Sequence, residues 1–406
     1  MLYIGIDVAK RSHVAAAMGD GGEVAVEPFE FRNTQRGFER LLERLARRGV
    51  SAEGSLVGME ATGHYWVALF DFLAANGFEV AVINPIQTDA WRRVDTVRPA
   101  KTDGIDALLI ADLLRCKRFE PSALGDEATE ELRQLARYRF ELVQELTALK
   151  NRATAILDRV FPEYERLFAD KFGPTSSALL KECATPADVL AADPEALAGL
   201  LAEASRGRLG RERADEVVEA ARSSVGVSFG SRALAFELRV LVERMEFTRG
   251  QISELEAEIA RALSETAGRH LTSIPGVGPA LAALIAGEVG DAARFETPSK
   301  LVAYAGMDAT RRVSGESLDS PGHLSKRGSS YLRWALMQGA DRARRFDPYF
   351  GECYARKMSQ GKHHYVALTA VARKLAGVCL ALMKEDRDWS PDPPAGHLPG
   401  HLSQKR

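Results

Sequence analysis

Four cysteines are all the sequence has, Cys116, Cys183, Cys353 and Cys379, and no two of them form a C-x-x-C pair. That spacing supports neither a disulfide framework nor a zinc knuckle, and a reducing bacterial cytoplasm is the expected setting. An apolar run of the ~20 residues that a membrane span needs is missing as well, so no membrane partner is expected. The first residues, MLYIGIDVAK, have no basic n-region and no small-residue cleavage site, so no signal peptide is expected. Net charge is close to zero: 54 Lys and Arg against 56 Asp and Glu leave −2.

What is present is length and an uneven distribution of charge. At 406 residues the chain exceeds one small core and suggests two or three domains. Between 301 and 374, thirteen Lys and Arg face six Asp and Glu, a local excess of +7. Of the 54 basic residues 41 are Arg, the side chain suited to bidentate phosphate contacts, although a GC-rich coding sequence favours Arg too.

The first third alternates strand and helix signals. Leu2–Val8, Ser12–Met18 and Val24–Phe31 read as strands, the last two joined by a GDGG turn. A capped helix over Thr34–Arg48 follows, with Phe38, Leu41, Leu42 and Leu45 on one face. Ser55–Met59 is a short buried strand, His64–Ala75 a helix stopped by Asn76-Gly77, Glu79–Ile83 another strand closed by Asn84-Pro85, and Thr102–Arg115 an apolar helix. Three strands, a helix, then alternating strands and helices is the element order of a ribonuclease-H-like domain, taken as 1–118.

The middle, 119–268, changes period. Leu132, Leu135, Leu142, Leu146, Leu149, Ala153, Ile156 and Val160 recur at steps of three, four and seven, and Leu238, Leu241, Met245, Thr248, Ile252, Leu255 and Ile259 do the same. These predict two long helices with a coiled-coil-like seam, as an antiparallel hairpin or between chains. Between them, about 166–230 reads as a small inserted subdomain of short helices. A mainly helical domain over 269–388 opens with LTSIPGVGPALAALIAGEVG, which resembles a helix-hairpin-helix. Its Gly276 and Gly278 would let backbone N–H groups approach a phosphate. The Pro-, Gly- and His-rich tail, 389–406, is expected to be disordered.

Four carboxylates stand out against this frame. Asp7 and Glu60 end strands where apolar residues are expected, and Asp103 and Asp106 lie one turn apart at a helix start. A single one could be a cap or a solvated acid. Four together are costly unless cations neutralise them, and two Mg²⁺ ions roughly 3.5–4 Å apart, replaceable by Mn²⁺, would do so and polarise a phosphodiester.

The segments YIGIDVAK, GMEATGHYW, VINPIQTDAW, RPAKTDGIDALLIADLL, IPGVGPALAALIAGEVGD, LVAYAGMDATRRVSG and KRGSSYLRWAL resemble, in order, the transposases of the insertion sequence 110 family. The resemblance covers roughly 1–160 and 265–380. It implies a RuvC-like domain whose Asp7, Glu60, Asp103 and Asp106 are metal ligands, and a C-terminal transposase domain in which Ser314 is the nucleophile. It also implies donor and target DNA as substrates, homodimers pairing into tetramers with the serine of one subunit meeting the carboxylates of another, nucleoid association, and, for several members, a structured guide RNA from the element. The segment about 166–230 is longer than in compact members, which leaves the shape of the connector open. Ser314 is followed by Gly315 and preceded by Arg311 and Arg312, which can stabilise charge building on phosphoryl oxygens. Ser317, Ser325 and Ser329 are rivals. Lys326, Arg327 and Arg333 are candidate phosphate clamps or an ordinary basic surface.

Three other classes fit part of the pattern. IGIDVAKRSHVAAAMGDGG resembles the first phosphate loop of actin-like ATPases and sugar kinases, but a second loop of the Asp-x-Gly-Gly type is missing. A junction-resolving nuclease would use the four carboxylates without a serine. A non-catalytic DNA- or RNA-binding descendant would have no reason to retain all four.

Overall fold

The computed structural model describes residues 1–61, 63–95, 102–117, 126–311 and 321–391. Thr62, 96–101, Arg312, Ser314 and Ser317 lie outside the described residues. The chain divides into two units, 1–124 and 125–406.

The first unit is a five-stranded sheet with helices on both faces. Its elements are β1 (Leu2–Asp7), β2 (Ser12–Gly19), β3 (Val24–Arg32), α1 (Gln35–Ala46), β4 (Ser55–Glu60), α2 (Val67–Ala75), β5 (Glu79–Ile83), α3 (Pro85–Asp95) and α4 (Asp103–Arg115). Strand order is β3-β2-β1-β4-β5. β1 runs antiparallel to β2 and parallel to β4, which is parallel to β5. The strands fall where alternation placed them, whereas α3, just past Asn84, was not anticipated. Side-chain alternation splits the sheet into two faces. Ile4, Ile6, Val57 and Met59 pack with Phe38, Leu41, Leu45, Leu69 and Leu73 from α1 and α2. Tyr3, Ala81 and Ile83 pack with Ile110, Ala111, Leu113 and Leu114 of α4. Gly5, Asp7, Gly58 and Glu60 therefore point to the α4 side.

In the second unit α5 (Glu127–Val160) is followed by α6 (Pro174–Glu182), α7 (Pro186–Ala191), α8 (Pro194–Ser205), α9 (Arg211–Arg222) and α10 (Ser231–Ser264). The ion pairs Glu131–Arg261, Arg139–Glu256, Glu145–Arg244 and Arg152–Glu237 descend in register, so α5 and α10 lie antiparallel within one chain. Of the pairings that periodicity left open, the structure contains the antiparallel one within a chain. At ~1.5 Å per residue each helix of 34 residues spans roughly 50 Å. Their paired far halves share a core with α6–α9, centred on Phe161, Tyr164, Leu179 and Leu238.

The other halves join the C-terminal core with α11 (Pro279–Val289), α12 (Pro298–Tyr304), β6 (Ala309–Arg311), β7 (Pro321–Leu324), α13 (Ser330–Phe346), α14 (Pro348–Ser359) and α15 (His364–Glu385). The helix-hairpin-helix-like segment departs from expectation in its first element, a 3-10 stretch over Ala267–Ser273 rather than a full helix. α15 is long and apolar enough to cross a membrane by length and composition, although Arg373 and Lys374 break its apolar run. Leu368, Val371, Leu375 and Cys379 are nevertheless buried in the core, and 67% of its most apolar window is covered. Of the tail expected over 389–406, Trp389 joins the C-terminal core, donating to Asp347 Oδ2 at 2.7 Å and packing on Tyr349 and Phe350, and 392–406 lie outside the described residues.

Candidate active site and nucleic-acid interface

Two glycines seat α4, whose first turn carries Asp103 and Asp106, on the strands that end in Asp7 and Glu60. Gly5 and Gly58 are cross-strand partners. A Cβ on Gly5 would fall 2.0 Å from the Ala107 carbonyl oxygen and 2.5 Å from the Ala111 nitrogen, and a Cβ on Gly58 would fall 2.8 Å from Leu114 Cδ1 and 3.1 Å from Ile110 Cγ2. α4 thus rests directly on the backbone of β1 and β4. Its C-terminal Arg115 lies beside Gly22, in the turn after Asp20, which accepts from Tyr3 near the start of β1. α4 accordingly runs against β1, with its N-terminus toward the Asp7 end. Four residues of helix, Ala107 back to Asp103, cover ~6 Å. Two of strand, Gly5 to Asp7, cover about the same.

The helix start that carries Asp103 and Asp106 is itself explained locally. Thr102 accepts from the Ile105 N–H at 3.4 Å as N-cap, and two acids in the first turn match the positive end of the helix dipole. Asp103 is exposed, whereas Asp106 is 7% exposed. A buried carboxylate needs a partner. Arg92 of α3 supplies it, with Nη2 at 3.0 Å from Asp106 Oδ1 and Nη1 at 2.8 Å from the exposed Asp89. One turn earlier on the same face, Thr88 is buried and donates to Glu60 Oε2 at 2.6 Å. Trp91 donates to Asp112 of α4 at 3.2 Å. α3 therefore contacts two of the candidate carboxylates through Thr88 and Arg92, residues that sequence reasoning did not single out. The cue was available: both lie in VINPIQTDAWRR, directly after a strand end.

The donor set, four carboxylates with no sulfur or imidazole, suits a hard divalent cation. Asp7, Glu60, Asp103 and Asp106 would hold it. In the structure the counter-charge at Asp106 is the Arg92 guanidinium, and among the described residues no three His, Cys, Asp or Glu side chains converge closely enough to hold a metal ion.

In the second unit β6 and β7 form a two-stranded antiparallel sheet that brackets 312–320. That segment holds Arg312, Ser314 and Ser317, and the Arg311 side chain is likewise outside the described residues. The other two rival serines have structural work. Ser325 donates to Asp308 Oδ1. Ser329 caps α13 by accepting from the Leu332 N–H at 3.1 Å, and donates to the buried Glu288 at 2.6 Å. Glu288 also pairs with Arg137 of α5. The 325–329 segment is latched to 304–308: the Ser325, Lys326 and Ser329 N–H groups donate to the carbonyls of Asp308, Gly306 and Tyr304. Gly328 is required there, because a Cβ would lie 2.1 Å from the Tyr304 oxygen.

The candidate clamps separate into two groups. Lys326 and Arg327 are exposed, Lys326 on a left-handed backbone with φ +52°. Arg333 is half-buried and donates to the Ala305 carbonyl at 3.0 Å, so part of its guanidinium is committed to the fold. The two glycines also differ. Gly276, φ +90°, packs against the α13 backbone with a Cβ position 3.0 Å from Arg342. Gly278 opens α11 with free space around it.

These features, a sheet whose carboxylate end is overlaid by a helix and a helical C-terminal unit with an exposed basic turn, meet two family matches. Residues 4–162 match a transposase family of the IS110 DEDD type, and residues 268–355 match the IS116/IS110/IS902 transposase family. The two matches together span more than half of the chain, which belongs to the IS110 family of insertion-element transposases. Similar proteins extend over nearly its whole length. The insertion element IS110 43.6 kDa protein of Streptomyces coelicolor is 27% identical over 97% of both chains. The IS116 44.8 kDa protein of Streptomyces clavuligerus is 28% identical over 97% of both. The pilin gene-inverting protein of Moraxella bovis is 21% identical over 95% of this chain and 97% of its own.

Proposed function

We propose that this transposase cuts and rejoins DNA strands using Asp7, Glu60, Asp103 and Asp106 as ligands for two Mg²⁺ ions and Ser314 as nucleophile, on a ribonuclease-H-like first unit. The observation that supports this is that Asp7 and Glu60 end neighbouring strands on the sheet face that α4, with Asp103 and Asp106 in its first turn, covers by close packing on Gly5 and Gly58. Bound Mg²⁺ would polarise the scissile phosphodiester and lower the pKa of an attacking hydroxyl. The carboxylates orient it and balance its charge. The Ser314 hydroxyl gives up its proton as its oxygen bonds to phosphorus, the bond to the leaving strand's oxygen breaks, and that oxygen takes up a proton to become a hydroxyl. The phosphodiester energy is kept in the phosphoserine, so joining to a new strand needs no ATP. Arg311, Arg312, Lys326, Arg327 and Arg333 would bind phosphates around the reacting strands, and Gly278 presents backbone N–H to the same polyanion. The family resemblance adds a guide RNA and assembly of dimers into a tetramer. The name of the Moraxella bovis relative, a gene-inverting protein, fits strand exchange rather than simple cleavage.

A suicide substrate, nicked beside the cleavage site so that a short strand diffuses away, tests the chemistry. Labelled DNA should migrate with denatured wild-type protein, disappear in EDTA and in Asp7→Asn, and disappear in Ser314→Ala while Ser317→Ala keeps it. Cutting without an adduct in any variant would favour a junction-resolving nuclease that uses water. Recombination that survives complete RNase treatment would remove the guide RNA.

A further inference from the structure

One face of the first unit carries positive charge that the carboxylate site does not use. Arg32 at the end of β3 and Arg36, Arg40, Arg44, Arg47 and Arg48 along and just past α1 line a groove of about 1090 Å³. All six are exposed. Two carboxylates, Glu30 and Glu43, share the lining, so six positive charges face two negative ones. Among the described residues the ion pairs in this groove reduce to one weak contact, Arg47–Glu43 at 3.8 Å. Arg44 lies over the Phe29 ring at 4.4 Å, which fixes it without neutralising it.

The contrast with the rest of the chain is what makes the groove informative. Arginine is abundant everywhere, but on α5, α9 and α10 it is routinely matched: Arg139, Arg152, Arg211, Arg213, Arg244 and Arg261 all hold a carboxylate. Among the described residues seven of the ten arginines of α5 and α10 hold a carboxylate, whereas Arg36, Arg40 and Arg44 of α1 have no ion pair, a contrast that a uniform coding bias toward Arg does not produce. The opposite face of α1 buries Phe38, Leu41 and Leu45, so the helix is held rigidly to the sheet. Arg36, Arg40 and Arg44 recur every four residues, about 6 Å apart along the axis. A rigid row of forked, permanently charged donors that self-repel in the free protein is suited to a polyanion of regular charge spacing.

We infer that this groove is a binding site for a nucleic-acid phosphodiester backbone, separate from the basic turn of the second unit. The inference rests on the nucleic-acid function proposed above. Two sources supply that backbone, duplex DNA and a structured RNA, and they are separated by the probe.

Full-length protein, freed of nucleic acid, is titrated with a labelled 30-base-pair duplex and separately with a labelled RNA hairpin over a series of salt concentrations. The variant is Arg36→Ala/Arg40→Ala/Arg48→Ala, whose side chains make no structural contact that would endanger folding. A control removes three exposed arginines elsewhere, Arg206, Arg222 and Arg232, with the same change in net charge. Each lost duplex phosphate contact lowers the slope of log affinity against log salt by about 0.9, so the groove variant should lose roughly 2–3 units of slope. The control should stay near wild type. Arg36→Lys/Arg40→Lys/Arg48→Lys should restore the slope, since counterion release follows charge. A loss seen with the duplex alone assigns the groove to DNA, and one seen with the hairpin alone assigns it to RNA. Equal slopes for wild type and groove variant on both probes, or an equal loss in the control, overturns the site. Wild-type protein that binds neither probe would instead overturn the nucleic-acid function itself.

Discussion

Replacing Gly5 by alanine adds one methyl group at the point where α4 touches β1. The new Cβ would sit 2.0 Å from the Ala107 carbonyl oxygen, against an ordinary contact of at least 3.4 Å, so α4 must retreat by about 1.4 Å. The obstructing atoms are backbone and cannot rotate away. Overpacking of this kind costs about 1–3 kcal/mol. Gly58→Ala is its internal control: the new Cβ would meet the Leu114 and Ile110 side-chain ends at 2.8 and 3.1 Å, which can turn aside. Hydrogen exchange followed by mass spectrometry reads the first unit separately from the second. Peptides covering β1 and α4 should exchange about 5- to 150-fold faster in Gly5→Ala, the equivalent of that energy, and clearly less so in Gly58→Ala. Displacement of Asp103 and Asp106 relative to Asp7 by an ångström should also lower strand cleavage on the order of 100-fold. Exchange within twofold of wild type in Gly5→Ala, or a larger effect in Gly58→Ala, refutes the close backbone approach that gathers the carboxylates.

Arg92→Ala removes the cation paired with Asp106, so Mn²⁺ binding, followed by loss of the free-ion resonance signal, should tighten on the order of tenfold, with Arg92→Lys close to wild type; unchanged or weaker binding would mean that Arg92 does not compete for the site. His13 is buried, which holds its imidazole below the ordinary value of about 6.5, and its Nδ1 accepts from the Ala9 N–H. The unfolded chain then takes up a proton first as pH falls, so the first unit should lose stability below about pH 6.5 until the depressed folded value is reached, and denaturant midpoints of His13→Gln should lack that step. Burial pushes the Cys379 thiol up to about 12 and raises Cys183, whereas Cys116 is half-exposed. A thiol reagent under native conditions should therefore label Cys116 first and Cys379 last, and early labelling of Cys379 would place α15 outside the core.

The parts of the fold that were legible in the sequence are those with a local apolar pattern. Short apolar segments closed by turn residues marked the strands, three-to-four spacing marked α1, α5 and α10, and α4 stood out as an apolar helix. α3 escaped notice because an eleven-residue helix beginning with proline and carrying Asp89, Arg92 and Arg93 shows little apolar stripe; its role is polar, and polar contacts across 14 or 28 residues leave no periodic trace.

By itself the sequence determined which residues could do chemistry. An aspartate or glutamate at the end of an apolar strand stands out locally, as does a pair of acids in a capped first turn, because strand pleat and helix capping act over only a few residues. Tertiary structure alone decided which groups meet. It put Gly5 against Gly58 and both beneath α4, turned Arg92 and Thr88 onto Asp106 and Glu60, and made α5 and α10 antiparallel partners within one chain. It committed Ser325 and Ser329 to latching and capping, and left Arg36, Arg40 and Arg44 of α1 without an ion pair among the described residues while most arginines of α5 and α10 found carboxylates. Each of these depends on the register between segments far apart in the chain, and register is set by packing and backbone pairing rather than by any local residue pattern.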